Sequence, residues 1–174
     1  MSFKTTAVRL ALAGAAAAAL AACATKPPPP PPPPPPAPAP APAPAPVSQI
    51  VPGSVQDFVV NVGDRVYFDF DKYDIRADAE PVLAAQAAWL VRYGSVTVRI
   101  EGNCDERGTR EYNLALGARR ANSVRDFLVA HGVNPNRIST ISYGKEMPID
   151  PGTGEDAWQH NRNGHTAITG GAAG

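Results

Sequence analysis

Hydrophobic and polar residues follow three different patterns along this chain, and each pattern predicts a different kind of segment. Leu10–Leu20 is an unbroken apolar run behind a short, positively charged start. Residues 27–46 consist only of proline and alanine, which excludes helix and sheet because proline fixes φ and lacks an amide donor. From residue 57 onward, apolar residues recur with the periods of strands and helices. We therefore expect a leader (1–22), a linker (23–56) and a globular domain (57–174).

The globular region contains five short segments with the composition or alternation of β-strands. The predicted strands are Phe58–Val62, Arg65–Phe70, Val96–Glu101, Ile138–Ser142 and Gly164–Thr169. Asn61–Asp64 has the residues of a turn between the first two. The last strand is expected to be weak, because it has few apolar residues.

Two long helices are predicted between these strands. Asp78 is placed to cap the first helix, followed by an acidic residue and a proline, and Gly94 ends it. Thr109 is placed to cap the second, which runs to about His131. The core stripe of the second helix is Leu114, Gly117, Ala121, Val124 and Leu128. A helical turn is predicted at Ala157–Asn161, and the alternation of strands with helices predicts a sheet with helices packed on it.

The leader has the features of a bacterial secretory signal. Its apolar run is shorter than the roughly 20 residues that a helix needs to span a bilayer. It ends in Leu20-Ala21-Ala22-Cys23, which resembles the lipobox of bacterial lipoproteins. That resemblance implies diacylglycerol on the Cys23 thiol and an N-acyl chain such as palmitate on its amine. Alanine rather than aspartate at position 24 implies sorting to the outer membrane. The alternative is a soluble-protein leader with a chance cysteine.

The proline-rich arm predicts an extended spacer. Fifteen of the 20 prolines lie between Pro27 and Pro46. At about 3.1 Å per residue in polyproline II, the arm reaches on the order of 60 Å. A ligand for proline-binding modules is the alternative interpretation. We favour the spacer, since a membrane-anchored domain that contacts another layer needs distance.

Charge and cysteine content exclude several classes of protein. The formal net charge is zero, with 16 basic and 16 acidic residues, so no basic face points to nucleic acid. Cys23 and Cys104 are the two cysteines, and they imply no disulfide framework. Cys104 has no cluster of ligands at short spacing around it, so no metal site is predicted.

The densest polar stretch is the loop 102–109, between a strand and the N-terminus of a helix. Ligands favour this position in open sheets, and the helix start offers free amides to an anion. On the helix, Asn113, Leu116 and Arg120 share one stripe that borders the core. Asp105 and Arg120 together would complement a zwitterionic amino acid head. An internal Asp105–Arg120 salt bridge is the alternative, and spacing alone does not separate the two.

Four motifs in this region are similar to those of one family. They are Val66–Tyr73 (VYFDFDKY), Asp105–Thr109 (DERGT), Tyr112–Asn122 (YNLALGARRAN) and Ser142–Glu146 (SYGKE). They resemble the peptidoglycan-associated lipoproteins of the Tol–Pal system. The resemblance implies an α+β, OmpA-like fold, in which two long helices pack on one face of a mixed sheet. It departs at Asn103-Cys104, where the family has histidine and a small residue, and after Arg162, where the family has a second arginine.

The resemblance also implies a function. The family binds the diaminopimelate of the peptidoglycan stem peptide through an aspartate and an arginine, which correspond to Asp105 and Arg120 here. Expected supporting residues are Asn113, Leu116, Thr109, Asp71 and Tyr73. The implied partners are peptidoglycan and the Tol proteins, with TolB as the main candidate and TolA as a further one. The domain would face the periplasm and support envelope integrity and outer-membrane constriction in cell division and the cell cycle.

An enzyme that acts on peptidoglycan is the rival class. Cys104 as a nucleophile needs an adjacent base, and nothing in the sequence places a histidine beside it. The pairs Asp105/Glu106 and Asp69/Asp71 could be a glycosidase dyad, but that interpretation leaves Arg120 unexplained. We therefore predict a binding protein rather than an enzyme.

Overall fold

The computed structural model describes residues 50–174. The predicted signal peptide, Cys23 and the residues 27–46 of the arm lie outside the described residues. The helices and strands are α1 Val55–Asp57, β1 Arg65–Tyr67, α2 Glu80–Arg92, β2 Thr97–Asn103, α3 Arg110–Ala130, β3 Ile138–Gly144, α4 Glu155–Asn161 and β4 Asn163–Gly170. A π-helix at Phe58–Val62 and a 3-10 turn at Pro135–Arg137 complete them. No helix within residues 50–174 is long and apolar enough to cross a bilayer.

The four strands form one mixed sheet in the order β1-β4-β2-β3. β2 and β3 run parallel, whereas β4 pairs antiparallel with both β1 and β2. The prediction of a weak last strand is wrong, because β4 lies inside the sheet and is hydrogen-bonded on both sides. Its alternate residues still face the core: Gly164 lies against Val124, and Thr166 donates to Gln86 at 2.9 Å.

The long helices α2 and α3 cover one face of the sheet and enclose the core. Its fully buried members include Phe68, Leu83, Leu90, Ile100, Val124 and Leu128. α3 lies directly on the end of β2, where a Cβ added at Gly102 would overlap the carbonyl of Gly117. Two glycines at this crossing allow close approach of the backbones. The contact fixes the start of α3 beside the end of β2.

The predicted strand Phe58–Val62 is a π-helix instead. Ser54 caps the preceding turn by accepting from the amide of Asp57 at 3.1 Å, and the amide of Gly63 bonds to the carbonyl of Phe58 at 2.9 Å. Phe58 is buried, whereas Val59 and Val60 are exposed. A strand would have placed Phe58, Val60 and Val62 on the same face, whereas here Phe58 is buried, Val62 packs against the core and Val60 is exposed. A valine-rich composition fits both structures, so it did not decide between them.

Three smaller predictions also need correction. β1 ends at Tyr67, short of Phe70, because Tyr67 pairs with Asn163, the first residue of β4. Asp78 does not cap α2, because its carboxylate accepts from the Arg76 side chain at 2.9 and 2.8 Å. Leu114 is only half-buried; the buried leucine at this end of α3 is Leu116.

Candidate functional site

A cavity of about 160 Å³ opens where β2 ends and α3 begins. It is lined by Phe70, Asp71, Cys104, Asp105, Arg107, Gly108, Tyr112, Asn113, Leu116 and Arg120. The walls come from three segments: the loop after β1, the loop 104–109, and the first turns of α3. The position agrees with the prediction that the polar loop between β2 and α3 carries the site.

Side chains and backbone groups from several segments fix the loop 104–109. Thr109 caps α3 as predicted and accepts from the amide of Tyr112 at 3.2 Å. The Cys104 amide donates to the Gly144 carbonyl at 2.7 Å. The Nζ of Lys145 donates to the carbonyls of Glu106 and Gly108 at 3.0 and 2.7 Å. These bonds restrain the loop before any ligand binds, which lowers the entropy lost on binding.

Asp105 is a buried carboxylate surrounded by donors. Its Oδ1 accepts from the amide and the Nε of Arg107 at 3.1 and 3.2 Å. Its Oδ2 accepts from Nη2 of Arg107 at 2.6 Å and from Nη1 of Arg162 at 3.3 Å. Burial raises the pKa of Asp105, but these hydrogen bonds outweigh it, so the pKa lies below its ordinary value. Asp105 is ionised at neutral pH.

Arg120 lies fully buried at the floor of the cavity. Its Nε donates to the carbonyl of Lys72 at 2.8 Å, its Nη1 to that of Asn103 at 2.8 Å, and its Nη2 to that of Asp69 at 3.1 Å. A guanidinium has five N–H groups, so these bonds leave one on each Nη. Burial lowers the pKa of Arg120, but an arginine remains charged at neutral pH.

No internal salt bridge joins Asp105 to Arg120, so that alternative interpretation is wrong. Among residues 50–174, the ion pairs of Asp105 are with Arg107 and Arg162, and Arg120 pairs with no carboxylate. The two charges instead line the same cavity separately. The cavity thus offers one anionic and one cationic group to a ligand.

The remaining predicted residues divide into two groups. Asn113, Leu116 and Asp71 line the cavity, whereas Thr109 and Tyr73 do not. Asn113 also donates to the carbonyl of Arg107 at 2.7 Å. Asp71 has a positive φ of 57°, which is uncommon outside glycine, and its carboxylate accepts from the hydroxyl of Tyr112.

The sequence interpretation missed two arginines at this site. Arg107 lies between the rings of Phe70 and Trp158, with its guanidinium carbon 4.0 and 4.1 Å from the two ring centroids. Arg162 is buried and also donates to the carbonyl of Phe68 at 3.1 Å and to Glu155 at 2.5 Å. Arg107 lies two residues after Asp105, in the polar loop that was predicted to carry the site. Arg162 lies where the family has paired arginines, but no role was predicted for it.

Cys104 is a buried thiol in the wall of the cavity. Its Sγ contacts the carbonyl of Asn113 at 3.4 Å. Burial raises the pKa of the Cys104 thiol to about 11, so the reactive thiolate is scarce at neutral pH. These surroundings do not support a cysteine nucleophile.

Comparison with known proteins identifies the family and the fold. A model of the OmpA family matches residues 67–162. A peptidoglycan-associated lipoprotein of Mesorhizobium japonicum is 56% identical over 119 residues, which are 68% of this chain and 71% of that protein. The crystal structure of the peptidoglycan-associated lipoprotein from Burkholderia pseudomallei has a TM-score of 0.60 and 40% identity, over 61% of this chain and 90% of that one. The C-terminal domain of Helicobacter pylori MotB has a TM-score of 0.58 and 26% identity, over 63% and 87%. These matches confirm the α+β, OmpA-like fold and the resemblance in the motifs: the chain belongs to the OmpA family, in the group of peptidoglycan-associated lipoproteins.

Proposed function

We propose that this chain is an outer-membrane lipoprotein whose domain binds peptidoglycan non-covalently, at the diaminopimelate of the stem peptide. Family membership makes it a binding protein rather than an enzyme. The similar proteins are named for their association with peptidoglycan, and the cavity at the end of β2 has the charges that such a ligand needs.

The observation that carries this proposal is the environment of Arg120. A buried guanidinium costs free energy unless its charge and donors are compensated. Three carbonyl groups accept hydrogen bonds from the guanidinium, but within residues 50–174 no carboxylate neutralises its charge. A ligand carboxylate would supply that charge and accept from the two remaining N–H groups in the bidentate manner that arginine favours.

Diaminopimelate fits the rest of the cavity by its chemistry. Its free end is a zwitterion, with an ammonium and a carboxylate on one carbon. The carboxylate would bind Arg120 and the ammonium Asp105, while the short aliphatic chain would contact Leu116 and Phe70. A stem residue with an uncharged side chain would have no zwitterionic end to offer.

Titration calorimetry of the full chain in detergent against a stem tripeptide that ends in diaminopimelate tests this proposal. Losing one partner of a desolvated charge pair costs about 2–5 kcal/mol, so Asp105→Asn and Arg120→Lys should each weaken binding about thirty-fold or more. Arg110→Gln is the matched control, because Arg110 is exposed, contacts Glu146 and does not line the cavity. Near-equal affinities in all four folded proteins would contradict the proposal.

The anchor and the arm belong to the same proposal. Cys23 would carry diacylglycerol and an N-acyl chain, since more than one chain is needed for stable anchorage. We expect Cys23→Ser to abolish metabolic lipid labelling and outer-membrane retention. Replacing residues 27–46 by another stiff sequence of equal reach should preserve wall contact in cells, whereas deletion should impair it. A labelled, membrane-bound Cys23→Ser protein would contradict the lipobox interpretation.

The Tol proteins are the proposed protein partners, with TolB as the main candidate and TolA as a further one. Their proposed role supports envelope integrity and outer-membrane constriction at division. The support is the family alone. Pull-down of TolB by the full chain, compared with pull-down of purified sacculi, tests the two partner classes separately.

A further inference from the structure

The acceptor sites of Asp105 are already occupied in the structure. A carboxylate offers about four lone-pair positions. Three accept from Arg107, through its amide, Nε and Nη2, and the fourth accepts from Nη1 of Arg162. An incoming ammonium must therefore displace one of these donors before it can reach Asp105.

Of the two arginines, only Arg107 is free to leave. The Arg162 side chain is 3% exposed and is held by Phe68, Glu155 and Gln159 as well as by Asp105. The Arg107 side chain is 31% exposed and lines the cavity. Arg107 also has two side-chain bonds to Asp105 that a rotation would break together.

An alternative position for Arg107 exists nearby. Its Nη1 lies 3.9 Å from Oε2 of Glu155, which is outside hydrogen-bond distance. The Glu155 side chain is 64% exposed and sits on α4, outside the cavity lining. The rings of Phe70 and Trp158 on the two sides of the guanidinium confine its motion to the plane between them. A shift of the guanidinium that closes the 3.9 Å gap to Glu155 would take it away from Asp105.

We propose that Arg107 is an internal competitor for the ligand's ammonium group, bound to Asp105 in the free protein and transferred toward Glu155 when the ligand binds. This inference rests on the proposed function, since it concerns the same cavity. The binding free energy then depends on the difference in free energy between the ammonium–Asp105 contact that forms and the Arg107–Asp105 contact that is lost. This competition also means that the carboxylate of Asp105 is already paired in the free protein, so small cations in the periplasm compete with Arg107 for it.

The test removes the charge of the competitor while keeping a planar polar group at position 107. With the stem tripeptide as probe and the full chain in detergent, Arg107→Gln should bind more tightly than wild type, by on the order of threefold to tenfold. Arg110→Gln removes the same charge from the neighbouring start of α3 and should leave affinity unchanged within about twofold. If Arg107→Gln binds more weakly than wild type, Arg107 contacts the ligand itself and the inference is overturned.

A second measurement follows the guanidinium directly. In a ¹⁵N-labelled chain, the Nε–H signal of Arg107 should shift on addition of the tripeptide, because its hydrogen bond to Asp105 is lost. It should stay in place with a matched tripeptide that lacks the distal ammonium and keeps the carboxylate. An unchanged Arg107 signal in a saturated wild-type complex would overturn the inference while leaving the proposed function intact. Absence of any wild-type binding would instead refute the proposed function.

Discussion

The two charged residues of the cavity sit in opposite environments. Arg120, at the floor, is bonded only to backbone carbonyls of the loop after β1 and of the end of β2. Asp105, in the wall, is bonded to the side chains of two arginines, one of them partly exposed. Carbonyl partners neutralise no charge, whereas arginine partners do.

This difference separates structural from exchangeable contacts within one small site. The Arg120 bonds connect two segments of the fold and cannot be given up without loosening the cavity. The Arg107–Asp105 contact connects a loop to itself across two residues and can be replaced by another cation. We therefore expect substitutions at the floor to affect both folding and binding, and substitutions in the wall to affect mainly binding.

The largest effect is expected for Arg120→Lys. An ammonium cannot reach three carbonyls and present a bidentate fork at once, so buried acceptors lose their donors, at about 1–3 kcal/mol each. We expect the free energy of unfolding to fall by about 2–4 kcal/mol, measured by urea denaturation, together with the loss of tripeptide binding. Wild-type stability in this variant would remove the structural role assigned to the floor.

Asp105→Asn should have the next largest effect, and mainly on binding. The depressed pKa of Asp105 also links it to acid stability. A carboxyl whose folded pKa is lowered contributes stability above its unfolded pKa of about 3.9, and that stability is lost as pH falls through the folded pKa. Below about pH 5, wild type should therefore lose its stability advantage over Asp105→Asn progressively. Parallel pH profiles of unfolding for the two proteins would contradict this assignment.

The parts of the fold that could be predicted from sequence are those set by local chemistry. Thr109 caps α3 because a β-hydroxyl at that position reaches the amide three residues on. The alternation that begins at Val96 marks β2 because one face is buried. The strand predicted at Phe58–Val62 was wrong, because a valine-rich segment is compatible with both a strand and a π-helix. Only the packing of Phe58 decides between the two structures.

The site could be predicted only in part, for a related reason. Asp105 and Arg120 were found because a polar loop and a helix stripe are visible in sequence, and because the motifs resemble a family. Arg162 was not, because its bonds to Asp105 and Phe68 span 57 and 94 residues. Arg162 directly precedes β4, and the antiparallel pairings of β4 with β1 and with β2 bring it close to Phe68 and to Asp105, respectively. No window of sequence contains these contacts.

Thr109→Ala should affect stability alone, because the cap of α3 lies outside the cavity lining. Loss of the N-cap bond typically costs about 1 kcal/mol, and urea denaturation should show this decrease. Thr109→Ser keeps the hydroxyl and should restore most of the loss. If Thr109→Ala instead weakened tripeptide binding more than about threefold, Thr109 would belong to the ligand contacts, as the family resemblance implied.

The smallest effect, and the finest test of the comparison, is expected for Tyr112→Phe. The Tyr112 hydroxyl donates to Asp71, and this bond joins α3 to the same loop that Arg120 holds through Lys72 and Asp69. If Arg120 is the main fixture of that loop, removing the hydroxyl should weaken tripeptide binding by no more than about threefold, the scale of one exposed hydrogen bond. Tyr73→Phe is the matched control, because Tyr73 lies in the same loop without lining the cavity. Calorimetric titration of both variants measures the difference. A thirty-fold loss of affinity in Tyr112→Phe would show that Tyr112, like Arg120, is a structural contact of the cavity floor. An equal loss of affinity in Tyr73→Phe would show that the loop acts as a whole.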